Sequence, residues 1–200
     1  MYILHFDGMF RSLRPWPQRT GLMGYGWIII HQESIVAHGF GIFALRKNAT
    51  SCFSEYLALI EGLEALADMH VGDAPIEVRG DAKFIINQMN GVASVNSTCI
   101  RSLHQRASRL AQDFSHLSWV WIPRKENRYA DILSRRAIRH TEIVLGRISP
   151  LMDRLQSRLY ASGKLVPLMD LRVYKQNWDN RIRFNIDPLI RNGILDNQLM

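Results

Sequence analysis

Cysteine is almost absent from this 200-residue chain: Cys52 and Cys99 are the only two, and they do not form a CxxC pair. Neither a disulfide framework nor a thiolate zinc site is indicated, and reduced thiols are expected. No segment reaches the ~18 uninterrupted apolar residues of a spanning helix. The first residues also lack the charged-then-apolar pattern of a signal peptide. The expectation is a soluble, cytoplasmic protein with no membrane partner. Acidic residues are outnumbered, 18 Asp and Glu against 25 Lys and Arg, and the pI is about 9.8. A net charge of +7 favours a polyanionic partner, nucleic acid ahead of an anionic membrane surface. Residues 101–140 hold nine Lys/Arg against three Asp/Glu, whereas residues 1–100 hold seven against nine.

Against that background one acid stands out. Tyr2 to Phe10 reads YILHFDGMF, an apolar run with Asp7 in its middle. Its residue types suit a strand, on which Ile3, His5 and Asp7 share one face and Tyr2, Leu4 and Phe6 the other. A carboxylate on a packed strand must meet a basic partner or a metal ion, or lose its charge; a metal is the expectation here, with a strand-end turn as the plain alternative. Gly8 leaves the adjacent backbone uncovered. His5, on the Asp7 face, reads as a packed neighbour of the acids instead of a ligand.

A 47% hydrophobic content over this length allows one sizeable core plus an extension. After the first strand, RSLRPWPQRT (Arg11 to Thr20) reads as a loop whose Arg11, Arg14, Arg19 and Trp16 either contact a phosphodiester backbone or are simply solvated. Gly24–Gln32 and Ser34–Leu45 then form two strands joined by a tight turn near Glu33, completing an antiparallel meander. Ser54–Met69 has helical periodicity, with Ser51 or Ser54 as its cap, Glu55 in its first turn on the core side, and Glu61 and Glu64 in solvent. PIEVRGDA (Pro75 to Ala82) is a short strand that puts Asp81 at its carboxyl end, where open α/β sheets build ligand sites. A short helix stops at Gly91. Asn96–Phe114 is an amphipathic helix, His116–Ile122 a strand, and PRKENRYADILSRRAIRH (Pro123 to His140) a final helix capped by Asn127. In that helix Ala130, Leu133 and Ala137 point inward and Asp131 stands beside them. The fold class is α/β, a mixed five-stranded sheet flanked by helices.

Four stretches, FDG at Asp7, SEYLALIEGL at Glu55, RGDAKFIINQMNG at Asp81 and WIPRKENRYADILS at Asp131, together resemble type 1 ribonuclease H, and more closely its archaeal and plant-like branch within the ribonuclease H-like superfamily. The resemblance covers about residues 1–140. It implies a four-carboxylate site, Asp7, Glu55, Asp81 and Asp131, that binds two Mg²⁺ ions, with Mn²⁺ as a substitute, and hydrolyses the RNA strand of an RNA/DNA hybrid to leave 5′-phosphate ends. Hard cations take oxygen ligands, and a pair of them supplies a hydroxide, charge stabilisation and leaving-group stabilisation together. Substrate contacts implied or placed nearby are Gly8, Arg11, Thr50, Arg124, Lys125, Asn127 and Arg135.

The chain departs from better-known bacterial members of that family. The loop before the last acid has no His, its place being taken by Pro123-Arg124-Lys125-Glu126, and Gly91 to Ser97 is too short for a basic protrusion. Hybrid affinity then falls to Arg101, Arg106 and Arg109 or to the tail. The Asn residues expected after Thr50 are Ser51 and Cys52. Two rivals stand beside this reading: a DNA nuclease or resolvase on the same fold, and a non-catalytic nucleic-acid-binding scaffold.

Residues 141–200 lie outside the resemblance and are expected to be a mostly helical extension. Leu151, Leu155 and Leu159 have helical spacing. Arg172, Tyr174, Lys175, Trp178, Arg181, Arg183 and Phe184 interleave bases with aromatics, as single-strand binding or ordinary packing would require. Substrate binding, homodimerisation and recruitment of a protein partner are all open to this tail.

Overall fold

The computed structural model describes residues 1–12, 21–45, 50–146, 166–176 and 179–185. A seven-stranded sheet is built from β1 (Tyr2–Ser12), β2 (Gly21–His31), β3 (Ser34–Leu45), β4 (Ile76–Gly80), β5 (Leu117–Trp121), β6 (Val166–Gln176) and β7 (Asp179–Asn185), in the order β5-β4-β1-β2-β3-β6-β7. The first three strands form the expected antiparallel meander, while β1, β4 and β5 run parallel. The β2–β3 turn uses Gln32 and Glu33, both at positive φ (48° and 62°), although neither is the Asn or Gly that such a turn favours.

Among the described residues four helices cover the sheet: α1 (Ser51–Asp68), α2 (Lys83–Met89), α3 (Thr98–Ala111) and α4 (Arg128–Gly146). Leu4 and Phe6 of β1 and Tyr25 and Trp27 of β2 point to the α1 side and join the main core with Leu59, Leu63 and Leu66. On the opposite side α4 lies directly on β2. A Cβ at Gly26 would meet Ser134 N at 2.5 Å and Ala130 O at 2.6 Å, and one at Gly24 would meet Ser134 O at 2.7 Å. Glycines on the strand and the small buried stripe Ala130, Ser134 and Ala137 on the helix thus bring two backbones into contact.

The tail departs from expectation. Residues 166–176 and 179–185 are strands, β6 pairing antiparallel with β3 and β7 with β6, so the reading of 141–200 as mostly helical fails there. Alternation on β6 is disguised because the side chains sent toward α1 are polar. Arg172 and Tyr174 meet acids of that helix, and Asp170 accepts a bond from the buried Tyr25. Glu61, expected in solvent, is buried under Arg172 as a result, and Glu64 is half-buried between Arg106 and Arg172. α4 also runs six residues past 140. The helical pattern of Ile148–Ala161, the basic loop positions Arg14, Trp16 and Arg19, and Trp178 lie outside the described residues. No helix among the described residues is long and apolar enough to cross a membrane.

Candidate active site

β4 stops one residue too early to cover β1, and the site is built in that gap. Its last residue, Gly80, pairs with Phe6, whereas β1 continues alongside β2 with Asp7 opposite Gly26 and Gly8 opposite Tyr25. From Asp7 onward β1 has a free edge on the β4 side. Side chains from both faces of the sheet, and from the end of β4 itself, reach one another there.

Three acids do so. Asp7 on β1, Glu55 on α1 and Asp81 just after β4 each offer a carboxylate oxygen, and these oxygens lie within 4.8 Å of one another. Glu55 approaches from the α1 face and accepts a bond from the Gly8 backbone N–H (3.0 Å), an amide exposed at the free edge. Gly8 is required for this approach: its Cβ would lie 2.2 Å from Glu55 N. Thr50 caps α1, its side chain accepting from Phe53 N (3.4 Å). The cap is therefore neither Ser51 nor Ser54, and Glu55 sits beyond the first turn.

Asp7 is almost wholly buried (4% exposed). Burial pushes its carboxyl up to about 6, helped by Asp81 and Asp131 and opposed by the Ser134 hydroxyl, which donates to it. Glu55 is driven well above the usual carboxylate range by burial and then by Asp7 and Asp81. Burial and neighbouring carboxylates thus disfavour the charged forms of Asp7 and Glu55, and a cation bound among them would relieve that penalty. The donor set is all oxygen, which fits a hard divalent ion. These three residues can bind one.

Asp131 lines the same cavity of about 650 Å³, together with Asp7, Glu55 and Asp81, but stands outside the group of three. Its carboxylate is engaged by Arg124 and by Arg135 (2.7 Å). Burial would raise its pKa; the hydrogen bonds from these two arginines outweigh that and hold it below the ordinary value. Of four expected ligands the structure gathers three and places the fourth on the wall, paired. His5 is buried near the site without entering the group.

Asn127 is corrected in two respects. It is fully buried, so it cannot touch a substrate, and its side chain does not cap α4. Instead its amide donates to the Phe6 carbonyl (2.8 Å) and to Asp81 (3.2 Å). It thereby fills the place where β4 has ended and fixes one of the three acids. Ser134, which orients Asp7, was not singled out from the sequence; its signal was a polar residue in the small inward stripe, one turn after Asp131. Among the remaining substrate candidates, Gly8, Arg124 and Arg135 line the cavity and Arg11, Thr50 and Lys125 do not.

Comparison with known proteins agrees with this geometry. The family described as reverse transcriptase-like matches residues 10–137. A ribonuclease HI of Halobacterium salinarum is 33% identical over 135 residues, which are 67% of this chain and 62% of that protein. A crystal structure of ribonuclease H1 from Halobacterium salinarum superposes with a TM-score of 0.60 at 32% identity, covering 70% of this chain and 98% of the solved one. A bifunctional protein of Mycobacterium tuberculosis is 32% identical over 121 residues, 59% of this chain and only 32% of its own length. LC11-RNase H1, solved in complex with an RNA/DNA hybrid, gives a TM-score of 0.61 at 26% identity, covering 70% of this chain and 99% of that one. With the strand order, the convergent acids and these matches in agreement, the chain belongs to the reverse transcriptase-like family and is homologous to the archaeal and bacterial type 1 ribonucleases H of the ribonuclease H-like superfamily.

Proposed function

We propose that this protein is a metal-dependent endonuclease that hydrolyses the RNA strand of RNA/DNA hybrids, leaving 5′-phosphate ends. The observation that supports it most is the convergence of Asp7, Glu55 and Asp81 at the uncovered edge of β1. These three would hold a pair of Mg²⁺ ions, with Asp131 as a fourth ligand. Bound there, divalent cations supply a hydroxide at neutral pH and stabilise charge on the transition state and on the departing 3′-oxygen.

The chain's own contribution is placement. Ser134 fixes the Asp7 carboxylate, Asn127 fixes Asp81, and the Gly8 N–H fixes Glu55. The two arginines on Asp131 are more than half exposed (64% and 54%). Their water-facing guanidinium groups can turn to the scissile phosphate, leaving the 18%-exposed Asp131 carboxylate to a cation. Arg124 also replaces by charge the His that this loop lacks.

The test compares cleavage of labelled RNA/DNA hybrid, double-stranded RNA and duplex DNA with Mg²⁺ or Mn²⁺, for wild type, Asp7→Asn and Asp81→Asn. Selective hybrid cleavage that falls by several orders of magnitude in both variants is expected. Equal cutting of duplex DNA would point to a DNA nuclease, and hybrid binding without cleavage to a scaffold.

A further inference from the structure

The outer face of α4 bears an array of cations that the catalytic site does not use. Arg128, Ile132, Arg135, Arg136 and Arg139 recur at helical spacing on the side opposite the inward Ala130, Ser134 and Ala137, a stripe about 16 Å long at 1.5 Å per residue. Between Arg124 and His140 there are six Lys/Arg and two Asp/Glu.

Elsewhere several described arginines are answered by carboxylates, Arg79 by Glu77, Arg106 by Glu64, Arg124 by Asp131 and Arg172 by several acids, while among the described residues no carboxylate pairs with Arg101 or Arg109 of α3. On α4 only Arg135 is answered among the described residues, through Asp131. Among the described residues no carboxylate pairs with Arg136 or Arg139. Arg136 is nonetheless positioned, its guanidinium lying 5.6 Å from the centre of the Phe40 ring on β3, and Arg139 follows nearly one turn later. Unneutralised like charges held side by side on a helix repel one another, and a polyanion would relieve that repulsion.

This face is also continuous with the site. A groove lined by Ile132, Arg135, Arg136, Arg139 and His140 meets the catalytic cavity at Arg135, which lines both. The arginines of α3, the other basic helix, line no described cavity with the acids. We propose that the outer face of α4 is a track for the phosphate backbone of the duplex, with Arg136 and Arg139 gripping phosphates beyond the catalytic cavity. The inference rests on the nuclease reading above and supplies the duplex-holding surface that the missing basic protrusion leaves open. An anionic membrane is the weaker occupant. Among its described side chains this face exposes Tyr129 and Ile132 as large hydrophobics, a small apolar surface for insertion.

The experiment measures binding of a fluorescent RNA/DNA hybrid of roughly 18 base pairs, in chelator so that nothing is cut, across a range of salt. Arg136→Ala/Arg139→Ala is expected to bind about 10–100-fold more weakly at low salt. The slope of log K against log salt should shrink by about 1.8, two phosphate contacts at ~0.9 each. Single-turnover cleavage at saturating hybrid should stay within about twofold of wild type while KM rises. Arg136→Lys/Arg139→Lys should restore the slope, separating charge from helix packing, and Arg139→Ala alone, free of the Phe40 contact, should remove about half the effect. A wild type that cleaves hybrid beside a double variant with unchanged slope overturns the track and leaves the nuclease reading intact. A wild type that neither binds nor cleaves hybrid overturns both. Loss of binding to anionic vesicles in the double variant, with its hybrid slope unchanged, overturns the track in favour of a membrane.

Discussion

Arg172 of β6 places its guanidinium 2.6 Å from the carboxylate of Glu61 on α1, and the two side chains are only 12% and 8% exposed. Glu64, Asp68 and Asp170 lie 3.2–3.4 Å from the same guanidinium, and the Tyr174 hydroxyl donates to Asp68 (3.0 Å). The tail strand is therefore bonded to the helix that bears Glu55, not merely laid on the sheet edge.

Removing Arg172 leaves Glu61 buried and unpaired, its carboxyl already pushed up to about 7 by burial, so it must keep an uncompensated charge or take up a proton. Arg172→Met is expected to cost about 3–5 kcal/mol, whereas Arg172→Met combined with Glu61→Leu recovers much of it. Urea unfolding of the three proteins checks this. A double variant as unstable as the single would show that Glu61 is not the group left stranded.

Glu61 also marks the limit of what the sequence discloses. The Asp7 strand, the Glu55 helix and the strand end before Asp81 are local patterns, each decided by neighbours a few residues away, and all three were legible. Whether the outer face of α1 meets water or a strand is decided by residue 172, and nothing between 61 and 68 encodes that. The cap expected of the Asn127 side chain fails for a similar reason. An Asn before a helix reads as a cap because the competing acceptor, the Phe6 carbonyl, is 121 positions away in the chain. The pairing of Asp131 was hidden in plain view, since Arg135 follows it by one helical turn and exposed pairs at that spacing are too common to signal anything.

Asn127→Ala should separate positioning from chemistry. It strips a donor from a buried carbonyl and from Asp81, for about 1–3 kcal/mol of stability, and it frees one of the three acids to turn. Outer partners of this kind are typically worth 10–100-fold in metal affinity or activity. The expected result is a lower melting temperature together with weaker Mg²⁺ binding by calorimetry. Unchanged Mg²⁺ binding in a destabilised variant would reduce Asn127 to a strand-end plug.

Gly8→Ala tests the close approach of β1 and α1. The new methyl would meet Glu55 N and Ser54 C at 2.2 Å, and since both are backbone atoms the helix itself has to retreat. Overpacking of this sort costs about 1–3 kcal/mol. Activity should fall further than stability, because the same retreat withdraws the Glu55 carboxylate from the Gly8 N–H and from Asp7. Hybrid cleavage measured well below the melting temperature distinguishes the two. Wild-type rates there would mean that Glu55 is dispensable.

Acidity should act on the metal-free and metal-bound protein in opposite directions. Asp7 titrates at about 6 when folded against an ordinary 3.8, and Glu55 is also raised. Between roughly pH 4 and pH 6 the folded protein thus holds protons that the unfolded chain has released, and rising pH removes stability through these groups. The contribution is present in full below the ordinary value and lost as pH climbs through the folded one. A cation binds the deprotonated acids, so its stabilising effect must grow over the same interval. Melting temperatures with chelator and with Mg²⁺ should lie close together at about pH 5 and diverge by about pH 7.5. Asp7→Asn should bring the two pH conditions closer together by abolishing most of the divergence. An Mg²⁺ shift in the wild type that is equal at both pH values would mean that the ion binds elsewhere than at Asp7 and Glu55.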